Sequence, residues 1–182
     1  MSTSEFLFRE KKATQAAARI IQKAGGRYNY LSLVKLIYIV DREAIKSWER
    51  AVAGGPFFSL PNGPVNSAIL DLVNENIPSD HWRNCLEREE NDVILHNDPG
   101  DDELSEAEKD LIDFVFEQWG HLSPAALRHL THQFPEWKNP NGGRLPISGD
   151  EILHAVGRRA EEVREISEEL EETNKLRRLL EK

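Results

Sequence analysis

Cysteine is all but missing from this chain. Cys85 stands alone among 182 residues, so no intrachain disulfide can form and two-cysteine zinc knuckles are excluded. A reducing, cytoplasmic setting is the expectation. Long apolar runs are missing as well, none approaching the roughly 20 residues that cross a bilayer. At the N-terminus Phe6-Leu7-Phe8 precedes Arg9, Lys11 and Lys12, the reverse of a secretory signal, so neither export nor a membrane partner is expected. Glycines 54, 55 and 63 form neither G-x-G-x-x-G nor a P-loop, and no serine is framed as G-x-S-x-G. Cys85 falls on an expected strand without a strained elbow around it. The chain therefore reads as a non-enzyme without a cofactor.

Metal-ligand spacing is also lacking. His129 and His132 lie three apart on an expected helix and share a face, with His121 nearby. No H-E-x-x-H spacing occurs, however, and no carboxylate sits at a matching interval. Packed or hydrogen-bonded histidines are expected, and no metal site.

What the chain does carry is charge, unevenly placed. The net charge is −9, but residues 1–50 hold ten Lys/Arg against five Asp/Glu, and the remainder holds thirteen against twenty-seven. Arg9, Lys11, Lys12, Arg19, Lys23, Arg27 and Lys35, with Tyr28 and Tyr30 for stacking, make a candidate phosphate-binding face. The plainer reading is a solvated helix face. The acidic whole and the lack of helix-turn-helix spacing disfavour nucleic acid as a partner. A homodimer that sets this basic stretch against the acidic half of a second copy is a further option.

Periodicity places the helices. Leu33, Leu36, Ile37, Val40, Ala44, Ile45 and Trp48 line one face of a strongly apolar helix that Asn29 can cap. An earlier helix over about Thr14 to Ala24 ends at Gly25-Gly26. After a rigid turn from Pro56 to Pro64, Asn66 or Ser67 starts a short helix with Ile69, Leu72 and Val73 inward, ended by Pro78. Residues 82–96 read as two short strands around a polar turn, and His96 to Glu103 as an exposed acidic linker. Ser105-x-x-Glu108 has capping-box spacing ahead of a helix ended by Gly120, and Ser123-Pro124 opens another that Pro135 stops. A loop over 139–146 leads to a second capping box, Ser148-x-x-Glu151, and a charge-rich helix running to the C-terminus.

The expected fold is mainly α (α+β): a compact helical domain of about five helices with a small β-hairpin over 1–150, plus a long charged helix over 151–182. Val156, Val163, Ile166, Leu170, Leu176 and Leu180 approximate an apolar stripe on that last helix, broken by Gly157, Ser167 and Asn174. They are the expected partner-binding or dimerisation residues. The alternative is that the first turns pack on the domain and the rest forms a solvated tail.

Lys35-Leu36-Ile37-Tyr38, Gly63-Pro64-Val65, the helix start at Leu104-Ser105, Leu122-Ser123 through Leu127, and Thr131-His132 with Trp137 occur in this order. Together they resemble the Panacea domain of SocA-type antitoxins over roughly residues 14–155. The resemblance implies a mainly helical, non-enzymatic, prophage-associated domain encoded beside a toxin that it neutralises by direct binding, as in a type II toxin-antitoxin system. It marks Lys35, Tyr38, Gly63, Pro64, Val65, Thr131, His132 and Trp137 as structural motif positions and implies a cognate protein toxin as partner. A protease adaptor that delivers the toxin for degradation and a DNA-binding autorepressor are the alternative functions. The C-terminal extension lies outside the shared pattern, which makes it the expected seat of toxin choice.

Overall fold

The computed structural model describes residues 3–181. α1 (Glu10–Lys23) starts earlier than its periodicity indicated, because the turn from Glu10 to Ala13 already packs inward. A three-residue strand, β1 (Arg27–Asn29), leads into the central helix α2 (Tyr30–Trp48), whose first turn is capped by Asn29 Oδ1 accepting from the Leu31 and Ser32 N–H groups. Beyond the expected apolar stripe, Val34, Lys35, Ile39 and Asp41 are buried too. A helix covered on every side needs neighbours on every side, and the rest of the chain supplies them.

The rigid turn foreseen between Pro56 and Pro64 is instead a hairpin. β2 (Phe57–Leu60) and β3 (Gly63–Asn66) pair antiparallel with Phe58 opposite Val65, and β6 (Leu145–Ile147) adds to β2 with Ile147 opposite Phe57. Strands this short give too few alternations for a period of two to show in sequence. Asn66 caps α3 (Ser67–Val73) as expected. Trp82, expected in a strand, lies in the single turn α4 (Asp80–Arg83), and Cys85 lies just before β4 (Leu86–Glu89). β4 and β5 (Asp92–Leu95) form the expected hairpin, widened by β1 into a sheet of order β1-β5-β4.

α5 (Glu106–Trp119) opens on the Ser105/Glu108 capping box, and α6 (Pro124–Thr131) follows its Ser123 cap. The helix expected to run unbroken to the C-terminus is two: α7 (Gly149–Ala155) and α8 (Ala160–Leu180). Gly157, at φ 101°, takes a left-handed conformation that no helix continues through. Eight helices and two small antiparallel sheets among the described residues make an α+β fold dominated by helix.

Apolar side chains gather in two clusters that share α2. The larger joins α2 to α1, α3, α5 and α6 through residues such as Ile20, Leu36, Ile69, Ile112 and Leu127. The smaller sets Tyr38 and Ile45 against Phe57, Ile147, Ile152, Leu153, Val163 and Ile166, and includes Phe6 from the N-terminal segment.

Candidate functional site

The turn between β2 and β3 brings distant residues to one point. Gly63 sits at φ 105°, and a Cβ there would lie 2.8 Å from both Lys35 Nζ and Thr131 Oγ1, and 3.2 Å from the His132 ring. Only glycine fits both the backbone and the space. Lys35 Nζ donates to the Pro64 carbonyl at 2.8 Å, and Thr131 Oγ1 donates back to the Leu127 carbonyl at 3.0 Å. His132 stacks on Trp137 with ring centroids 4.0 Å apart, and Trp137 Nε1 donates to the Leu60 carbonyl at 3.0 Å. Val65 is buried in the larger core. α2, the β2–β3 hairpin and the end of α6 are thereby locked together.

Burial and the nearby Arg128 push the Lys35 amine down to about 7. An amine so poised is able to act as base or nucleophile only where a substrate can reach it. Here Lys35 is 4% exposed, bound to a carbonyl and covered by Gly63, so its geometry is that of a packing residue. Burial, Arg128 and Lys35 also lower His132. Its Nε2 is buried without a hydrogen-bond partner, which suits a neutral ring protonated on Nδ1 toward the Pro61 carbonyl. His129 pairs with Gln133 at 3.1 Å. Among the described residues no three His, Cys, Asp or Glu side chains meet as a metal site would require.

One turn further along α2, Tyr38 donates to Glu136 Oε1 at 2.9 Å and Arg42 Nε donates to the same oxygen at 2.7 Å. The Glu136 side chain is fully buried, and Arg42 also lies 4.2 Å over the Phe134 ring. Burial beside Glu136 pushes the Tyr38 phenol well up, keeping it a donor. Asp41 accepts from the Val52 and Ala53 N–H groups and from Asn66 Nδ2. Burial raises Asp41 to about 6 although these bonds pull the other way. Sequence reasoning missed both carboxylates. A carboxylate inside the apolar run Leu36–Ile45 was the available sign for Asp41, whereas nothing local marks Glu136.

The basic face of the first fifty residues is matched internally. Arg19 makes two bonds to Asp113 at 2.7 and 2.8 Å, Lys12 meets Glu108 at 2.6 Å and Lys11 meets Asp102 at 2.9 Å. Arg27 pairs with Glu89 and Asp92, Arg9 with Glu103, and Lys23 with Asp113. Against the pull of burial, Lys12 and the Ser105 N–H hold the Glu108 carboxylate below its usual range. Tyr28 donates to the Gly120 carbonyl, and Tyr30 lies under Arg88. The proposed phosphate contacts and stacking rings are thus engaged within the fold.

The six residues read as one partner-facing stripe separate. Val163 and Ile166 are buried in the smaller cluster, and Val156 and Leu170 pack half-covered against it. Leu176 and Leu180 are 63% and 87% exposed, and Leu179 between them is 68% exposed. Leu176 is six residues beyond Leu170, which at about 100° per residue turns it some 120° away. The inner face continues instead through Asn174, whose Nδ2 donates to the Glu5 carbonyl at 2.9 Å. Arg178 pairs with the Glu5 carboxylate at 2.9 Å.

No helix among the described residues is long and apolar enough to cross a membrane. Residues 33–138, more than half of the chain, match the family model described as Antitoxin SocA-like, Panacea domain. No curated protein and no solved structure matches the chain.

Proposed function

The chain belongs to the SocA-like Panacea family of antitoxins, and from that membership we propose that it neutralises the toxin of a neighbouring gene by binding it directly in the cytoplasm. Its work is binding, not turnover. Residues 1–150 serve as the common body, and 151–182 as the extension that chooses the partner.

The observation that carries this reading is the bare end of α8. Leu176, Leu179 and Leu180 form an apolar patch between Lys175, Arg177 and Arg178, outside the span that matches the family. Exposed leucines grouped on one helical face mark a surface that another protein covers. Fully burying each contributes about 1.5–3 kcal/mol. A few such anchors in an interface of about 1,600 Å² are enough for a nanomolar complex, near −12 kcal/mol.

Co-expression with the adjacent open reading frame tests the proposal. Rescue of growth together with a stoichiometric co-purified complex supports it, and no rescue with no complex removes it. Rescue that persists in protease-deficient cells separates masking of the toxin from its delivery for degradation.

A further inference from the structure

The N-terminal segment is bound to the fold as a peptide ligand would be. The Ser4 N–H donates to Asp150 Oδ1 of α7 at 2.8 Å, the Glu5 carbonyl accepts from Asn174 of α8, and the Phe6 carbonyl accepts from the Gly55 N–H at 2.6 Å. Phe6 is 6% exposed and belongs to the same apolar cluster as Tyr38, Ile45, Val163 and Ile166. Contact at Gly149 is so close that a Cβ there would lie 2.3 Å from the Ser4 carbonyl oxygen. One short segment therefore touches the body, α7 and α8 together.

The second half of α8 runs along the N-terminal segment, with Arg177 and Glu181 beside Leu7 to Lys12. Val163, Ile166 and Leu170 anchor the first half, whereas beyond them Asn174 and Arg178 both reach for Glu5. At the other end, Gly157 has open space where a Cβ would stand and a backbone angle of 101°. Next to it Arg158 is tied to the Lys46 carbonyl and to Glu49, both at 3.1 Å. The Gly157 and Arg158 N–H groups close α7 on the His154 and Leu153 carbonyls at 3.0 and 2.9 Å, so the turn belongs to α7, and a short link between two helices with a breakable tether beside it is the geometry of a hinge.

We propose that residues 4–6 are a latch that closes α8 onto the body about the Gly157 hinge, and that opening it frees the inner face of α8, with Val163, Ile166 and Leu170, for a partner. The purpose of this device rests on the reading of α8 as the partner-binding element. The latch itself does not. In the closed state α8 offers a partner Leu176, Leu179 and Leu180, and its inner stripe is masked by the chain's own core. Neutralisation then proceeds through a first contact at the helix end, followed by exchange of the inner face from body to partner.

Hydrogen–deuterium exchange on the full chain tests the latch without a partner. Asn174→Ala removes one bond and is expected to speed exchange of the α8 amides about fivefold, and Phe6→Ala more than about tenfold, while α1 and α2 keep their protection. Unchanged α8 exchange in both variants overturns the proposal. So does acceleration spread equally over α1 and α2, which would make Phe6 an ordinary core residue. In a second arm, association with the neighbouring gene's product is timed: Asn174→Ala is expected to bind several-fold faster than wild type, and equal rates overturn the masking. If wild type itself does not bind, the antitoxin reading falls while the exchange experiment still decides the latch.

Discussion

The cluster around Gly63 and the end of α8 follow opposite rules. Around Gly63 backbone carbonyls receive Lys35 and Trp137, and a single added methyl would press on Lys35 and Thr131. At the end of α8 the leucines face outward, while Asn174 and Arg178 bind the carbonyl and the carboxylate of one residue, Glu5. The first lies inside the span that matches the family and the second outside it. A scaffold that many chains share has to be self-sufficient, whereas a surface specific to one partner has to be left incomplete.

The sharpest way to break this contrast is at Glu136. Replacing it with Ala takes the acceptor from the buried Tyr38 hydroxyl and leaves Arg42 its longer contact with Glu43 at 3.8 Å, and a loss of about 2–4 kcal/mol in urea unfolding is expected. A loss below about 1 kcal/mol would show that water reaches Tyr38 and Arg42 and that the scaffold packs loosely there. Next comes a pair of glycines with similar backbone angles and different surroundings. Gly63→Ala is expected to cost about 2–3 kcal/mol because backbone strain and contact with Lys35 and Thr131 combine, against about 1 kcal/mol for Gly157→Ala in open space. Equal costs in parallel thermal melts would erase the distinction between a packed motif and an open link.

Lys35 gives a smaller effect with a pH signature. Its amine near 7 lies below the 10.5 of an exposed lysine, so between those values the folded chain binds fewer protons than the unfolded one. Stability from this group therefore rises with pH from about 7 toward 10 and has no slope below that window. Lys35→Met is expected to match or exceed wild type at pH 7 and to lose ground steadily up to pH 10. A stability difference that stays constant across that range would mean the amine is solvated. The smallest change in stability belongs to Leu176→Ser combined with Leu180→Ser, within about 0.5 kcal/mol of wild type because both side chains already face water. The same variant is expected to lose toxin protection in the growth-rescue assay, and retained protection would move the partner surface elsewhere.

Helix boundaries were legible in the sequence wherever a cap made them local. Ser105 with Glu108, Ser148 with Glu151, Asn29 and Ser123 each sit where their side chains satisfy free backbone N–H groups. Strands of three or four residues were less so, and β2, β3 and β6 were read as turns and loop. Resemblance picked out Lys35, Gly63, Thr131 and Trp137 as a set, but no spacing could place residues up to a hundred positions apart around one atom. The stripe on α8 misled for a geometric reason. A list of apolar positions continued across Gly157 and past Asn174 ignores the angle by which Leu176 departs from the buried face. Asn174, which looked like a flaw in the stripe, is the residue that meets Glu5.

The ion pairs between the first and middle parts of the chain also fix an order of assembly. Arg19 and Asp113 are 94 residues apart, and Lys12 and Glu108 are 96 apart. A ribosome adding about 5–20 residues per second exposes the cationic stub for roughly 5–20 seconds before its acidic complement emerges. During that interval Lys12 and Arg19 of α1 are in the emerging chain without the carboxylates of α5 that pair with them in the finished molecule. Other anionic groups compete for α1 until α5 arrives, and a message cut short before that helix leaves Lys12 and Arg19 without these partners.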